Sequence, residues 1–170
     1  MAQTTVSEYR DAYVVGQILN PEEAVTETRI VEESTGLIPG NVAIQGTDDI
    51  EVARADAAFT QETFQGIVVY SDVGREKALT TGTVTYEDAS EVTILKDGVI
   101  AVPITDTVTK NEIVFFTHTT GGASTLHTYR GDLDTDKAAE IPAYFLDSGV
   151  TGDIVRIRVR TGAGLGSRLS

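Results

Sequence analysis

The sequence predicts an all-β fold of the sandwich or barrel class. Three observations carry that prediction. Short runs rich in Val, Ile and Thr recur at intervals of roughly ten residues, separated by turns containing Gly and Asp. Residues 154–160 alternate strictly: Val155, Ile157 and Val159 share one face and Arg156, Arg158 and Arg160 the other, because side chains in a strand repeat with period two. No stretch sustains the period of an amphipathic helix.

Composition narrows the function classes. A chain of 170 residues can bury a single core without disulfides or metal, and it has no cysteine to offer either thiol chemistry or cross-links. The formal net charge of −13 argues against nucleic acid, whose phosphates need a Lys/Arg excess, and against anionic membrane surfaces. Any assembly contact must therefore be largely apolar or meet a basic patch. The first residues show no basic start followed by an apolar stretch, and no apolar run approaches membrane-spanning length, so the chain is expected to be soluble where it is made.

Taken in order, residues 1–7 are polar. Residues 9–19 carry more apolar side chains than a free tail needs, among them Tyr9, Tyr13, Val14, Val15 and Ile18, and read as an arm that docks on its own domain or on a partner. Asn20, Pro21, Glu22 and Glu23 make a helix start, which the β-branched run 25–31 cuts to one turn before a strand. Residues 34–40 form a turn around Gly36, Pro39 and Gly40. Short strands at 42–44 and 50–52 flank a turn at 46–49. The Ala-rich run 54–61 is a helical turn or a loop. Residues 64–71 read as a buried strand, with residues 67–70 apolar on both faces, and 72–77 as a charged loop. Val84 and Tyr86 alternate with polar neighbours.

The stretch 91–104 reads as a β-hairpin around which the rest is organised. Asp97-Gly98 lies between two aliphatic runs, and Gly supplies the positive φ a tight hairpin turn needs. A strand at 111–117 follows, then a second hairpin on Gly121-Gly122 returning through 124–129, an acidic loop at 130–138, a short apolar segment at 142–146 and the closing strand at 154–160. The expected division is an arm at 1–19, a β domain at 20–160 and a Gly-rich flexible tail at 161–170.

Little in the chain is arranged for chemistry. Asp132, Asp134 and Asp136 have the alternation that opens a calcium loop, but Lys137 replaces the required Gly and Ala143 the bidentate Glu, which leaves an acidic solvated loop. His118 and His127 can share a face of the second hairpin, yet no third ligand is set by the sequence, so surface histidines are the plainer reading. No hydroxyl lies in a nucleophile elbow, and the paired acids at 22–23, 32–33 and 48–49 fall on opposite faces of extended chain. Gly162, Gly164 and Gly166 have no helix after them to bind phosphate. No catalytic residue, cofactor or metal ligand is expected. The stripe Arg156, Arg158, Arg160 must be paired, with carboxylates of its own sheet or with an acidic surface on another chain.

The order of these pieces resembles the capsid cement, or decoration, proteins of tailed bacteriophages. The resemblance rests on Tyr9 followed by residues 12–17, on 28–33, on 37–42 with Gln45 and Gly46, and on Phe64, Gly66 and Ile67 as an F-x-G-I strand. Gly98, Ile100 and Val102 are similar to the family's central G-x-I-x-V motif, and Gly152, Asp153 and Val155 to its closing G-D-x-V. Gly40 and Asn41 follow Pro39 where the family often has Phe-Gly. The resemblance implies a jelly-roll-like β domain with an extended N-terminal arm that forms a homo-dimer or homo-trimer and binds the outer surface of an icosahedral shell. There it would staple neighbouring major capsid protein subunits after expansion, without catalysis, using main-chain edges open to strand addition. Tyr9, Tyr13, Val14, Val15, Ile18, Arg156, Arg158 and Arg160 are the contact residues this expectation singles out. The alternatives are another virion component, of the tail or of head completion, a carbohydrate-binding β-sandwich, for which aromatics are scarce and Trp absent, and a cupin-like enzyme, which would need more histidines.

Overall fold

A computed structural model describes residues 13–57, 59–71, 84–119, 127–133 and 138–161. It contains nine strands: β1 (Val25–Val31), β2 (Val42–Gln45), β3 (Glu51–Arg54), β4 (Phe64–Val68), β5 (Glu91–Pro103), β6 (Ile113–Thr117), β7 (Tyr129–Arg130), β8 (Ala138–Phe145) and β9 (Ile154–Arg160). Two 3-10 turns, Pro21–Glu23 and Gln61–Thr63, are the helical elements among the described residues. The strand order β1-β3-β2-β4-β5, with β1 also paired to β5, closes a five-stranded barrel; β9, β8, β6 and β7 continue the sheet beyond β5. The all-β expectation holds.

The hairpin expected at residues 91–104 is not there. β5 runs straight through Asp97-Gly98 as one strand of 13 residues. Its first half pairs with β1 and β4, and its second half, from Asp97 to Pro103, with β9. The Asp-Gly chemistry serves a bulge instead: Val25 pairs with Asp97 and Thr26 with Leu95, so Lys96 is skipped. Gly98 has φ +140, and a Cβ there would sit 3.1 Å from Leu95 Cδ1 and 3.2 Å from the Ala24 Cα. Glycine is used where the strand leaves the barrel for the second sheet and the chain before β1 crosses close over it. Partners distant in sequence outweighed the local turn signal.

Two apolar cores explain the patterns along the strands. Val31, Ala43, Val52, Val68 and Ile94, one from each barrel strand, fill the barrel interior with Leu37 and Tyr86. A second core lies between the barrel wall and the outer sheet, where Ile67, Val69 and Leu95 meet Phe116, Tyr129, Ile141 and Ile157. β4 reads as apolar on both faces because it separates these cores: Val68 points into the barrel and Ile67 out of it. The alternation of β9 is as expected, with Val155, Ile157 and Val159 at 2% exposure or less. The β2–β3 hairpin and the antiparallel β6–β7 pair match the turn signals at 46–49 and beyond residue 119, although the Gly121-Gly122 turn itself lies outside the described residues.

Candidate functional site

The arm is docked on its own domain. Gly16 N donates to Ala101 O at 2.9 Å, Ala101 N to Gln17 O at 3.0 Å and Leu19 N to Val99 O at 3.0 Å, and Ile18 bridges Ile100. The segment thus runs antiparallel along the second half of β5, continuing the edge that β1 occupies along the first. Tyr70 N donates to Gly16 O at 2.8 Å, tying the arm to the end of β4. The approach is close enough to exclude a side chain: Gly16 has φ +80, and a Cβ on it would lie 2.6 Å from Pro39 Cβ and 3.0 Å from Tyr70 N.

Docking leaves an apolar ledge. Val14 is 49% exposed and Tyr70 36%. A groove of about 460 Å³ lies along this ledge, lined by Tyr13, Val15, Pro39, Pro103 and His127 among others, and a second of about 400 Å³ runs between Val14, Ile18 and Tyr70. The floor is rigid. Tyr129 is fully buried and its hydroxyl donates to Gly40 O at 2.6 Å, while Asn41 Oδ1 accepts from Ile38 N, closing the turn under the arm. Burial pushes the Tyr129 phenol well above the usual tyrosine range. Tyr70 escaped the sequence reading; its place at the end of the strand read as apolar on both faces was the available signal.

The arginine stripe is largely engaged at home. Arg156 makes a forked contact with Asp147, Nε to Oδ2 at 2.8 Å and Nη2 to Oδ1 at 2.7 Å. Those hydrogen bonds hold the Arg156 pKa above the ordinary arginine value. Arg158 reaches Glu23 at 3.0 Å and Asp97 at 3.5 Å. Arg160, at the exposed end, lies 5.9 Å from the Tyr144 ring centroid. Arg156→Gln should cost about 1 kcal/mol of stability, read as a lowered urea midpoint, because a forked pair on a half-exposed surface is worth little more.

Of the residues the sequence singled out, Tyr13, Val14 and Val15 come together at the ledge. Ile18 packs against the second core, and Tyr9 lies outside the described residues.

His127 is half-buried and stacks on Phe116 at 6.0 Å, with both ring nitrogens enclosed and, among the described residues, without a hydrogen-bond partner. Burial, reinforced by Arg54 and opposed by Glu33, lowers its pKa to about 4. His118 Nδ1 lies 3.0 Å from the Thr119 hydroxyl and its ring rests beside Phe59; burial lowers its pKa as well, with Asp56 opposing. Among the described residues no group of three His, Asp or Glu side chains is placed to hold a metal ion. In the acidic loop, Asp132 accepts from Arg130 Nε at 2.7 Å, and residues 134–137 lie outside the described residues.

Comparison with known proteins gives these features a context. Residues 2–160 match the family described as structural cement protein (E217 gp24/Pam3 gp6). No curated protein matches the chain. Among solved structures, a chain from the capsid of Myoviridae phage XM1 is similar, with a TM-score of 0.68 at 14% identity over 96% of this chain and 99% of that one. At that identity the likeness speaks for the fold. The family match, spanning nearly the whole length, gives a structural role in the phage capsid: the chain belongs to the structural cement protein family.

Proposed function

We propose that this protein binds the outer surface of an expanded icosahedral head and staples neighbouring major capsid protein subunits, acting as a homo-oligomer and without catalysis. The observation that carries the reading, beside the family, is the apolar ledge at the docked arm. Val14 and Tyr70 stand exposed beside two grooves on a molecule of net charge −13. Such a ledge offers an apolar contact where general electrostatic attraction to a partner is weak. Tyr13, Val14 and Val15 at the ledge, with Tyr9 just before it, are the proposed shell contacts. Arg160, at the other end of β9 from the ledge, is the proposed contact from the stripe, since Arg156 and Arg158 already meet carboxylates, and Ile18 holds the arm in place.

The physics of stapling is mass action. A clamp that binds the intact lattice and not separated capsomers stabilises the lattice by its binding free energy. Several contacts on one oligomer raise the effective concentration of each.

Sedimentation of the purified protein with expanded, undecorated heads tests the reading. The protein should pellet with the heads, saturate at a ratio set by the lattice, and raise the temperature at which heads disrupt. Protein left in the supernatant while the heads pellet would overturn it. Val14→Asp, a change at an exposed position, should weaken head binding about tenfold while leaving the melting temperature unchanged, since a charge is costly to bury in an apolar contact.

A further inference from the structure

We propose that the free edge of β1 is a strand-addition site for an extended, basic polypeptide segment of the shell. This rests on the capsid-binding reading and adds a second contact to it, away from the arm.

The barrel closes by a short seam. β1 pairs with β5 from Val25 to Ile30, but β3 meets it only at Ile30 and Val31. On that seam Ile30 N donates to Ile50 O and Glu32 N to Val52 O. Main-chain groups of alternate residues face the same edge of a strand. The N–H and C=O of Thr26 and Thr28 therefore face outward along the same side, where no described strand pairs with them, and both residues are exposed. Elsewhere barrel closure and the docked arm take up the edges of β5. Among the described residues the β1 edge at Thr26 and Thr28 has no strand partner, and an unpaired edge is a template for another strand.

Charge selects the occupant. The edge is bracketed by exposed carboxylates, Glu22 before it and Asp48 and Asp49 beyond it, where the Arg29 guanidinium donates to the Asp49 carbonyl; Glu23 is already engaged by Arg158. The cations of this strand face are already matched: Arg29 and Lys96 meet Glu27 at 2.8 and 3.3 Å. A second copy would set another strongly acidic surface against the first. A segment carrying Lys or Arg meets opposite charge at both ends. Its aliphatic residues find Val25 and Ile50, 57% and 63% exposed, at the two ends of the edge. A handful of main-chain hydrogen bonds is weak alone, but repetition over a lattice multiplies weak contacts.

Thr28→Pro removes an outward N–H that takes no part in the β5 ladder, so the fold should keep its melting temperature. Head binding should fall about tenfold, while Thr28→Ala binds as the parent does. Thr28→Pro protein that binds heads as tightly as the parent overturns the proposal. A probe independent of heads is a seven-residue peptide of alternating Lys and Val, with its Glu-Val counterpart as control, followed by NMR at millimolar peptide. Shifts at the Thr26 and Thr28 amides with the Lys-Val peptide alone are expected. If the parent protein fails to bind heads, the capsid reading falls and the peptide titration still decides the edge: no shift at Thr26 and Thr28 overturns it. Hydrogen-exchange protection of those amides that rises with protein concentration alone would assign the edge to a second copy and overturn it as well.

Discussion

Gly16→Val should release the arm and destabilise the protein by about 3 kcal/mol, lowering its melting temperature by about 6–12 °C. Two costs add. A residue with a Cβ in the left-handed region at φ +80 pays about 1–2 kcal/mol, and more when β-branched. The new side chain would also start 2.6 Å from Pro39 Cβ and 3.0 Å from the Tyr70 backbone nitrogen, which cannot both give way without breaking the 2.8 Å bond from Tyr70 N to Gly16 O. The chain can escape by undocking, so the cost is capped by what docking is worth. Hydrogen exchange separates the two responses. The amides of Gly16, Leu19 and Ala101, which bond across the arm–β5 seam, should lose protection while the barrel strands keep theirs. Head binding should fall with them, since the ledge exists only while the arm is seated. A variant that melts like the parent and keeps those amides protected would show that the arm is not held by this contact.

Acid should destabilise the protein through His127. Its pKa is near 4 in the folded chain against 6.5 for an unperturbed histidine. Between those values the unfolded chain binds the proton and the folded chain does not. The contribution of His127 is therefore full above about pH 6.5, falls as pH drops through this window, and is gone below about pH 4. The loss is at most about 3 kcal/mol at about 1.4 kcal/mol per pKa unit, and less to the extent that solvent screens the half-buried ring. The cause is structural. The ring is stacked on Phe116, its nitrogens have no partner among the described residues, and of the charges that reach it Arg54 opposes protonation more than Glu33 favours it. His127 also sits at φ +64, so asparagine, which tolerates that backbone, is the substitution of choice. Urea midpoints of the parent and His127→Asn from pH 7.5 to 4 should converge as the pH falls. Parallel curves would mean that His127 titrates alike in the folded and unfolded chains. His118, also lowered by burial, contributes in the same direction.

Local pattern was enough wherever one strand faces one core and one solvent. β9 is the clear case: the Val/Ile and Arg alternation predicts both the buried face and the outward stripe, and also the need for nearby carboxylates that Asp147, Glu23 and Asp97 meet. The single helical turn at Pro21, the β2–β3 hairpin and the all-β class were legible for the same reason, since capping, turn chemistry and strand period act over a few residues.

Tertiary structure decided what depends on distant partners. Asp97-Gly98 has the chemistry of a turn, yet β1, β4 and β9 supply enough ladder on both sides to make it a bulge in a continuous strand. The apolar arm is equally suited to a partner or to its own domain; the hydrogen bonds of Gly16, Gln17 and Leu19 to β5 settle that for the segment they span. The two apolar faces of β4 signalled burial, but that they serve two separate cores follows from barrel closure alone. The same closure determines which edge stays open. β3 reaches β1 over two residues only, and the main chain of Thr26 and Thr28 is left without a described strand partner on that side, a consequence of register that no property of those threonines announces.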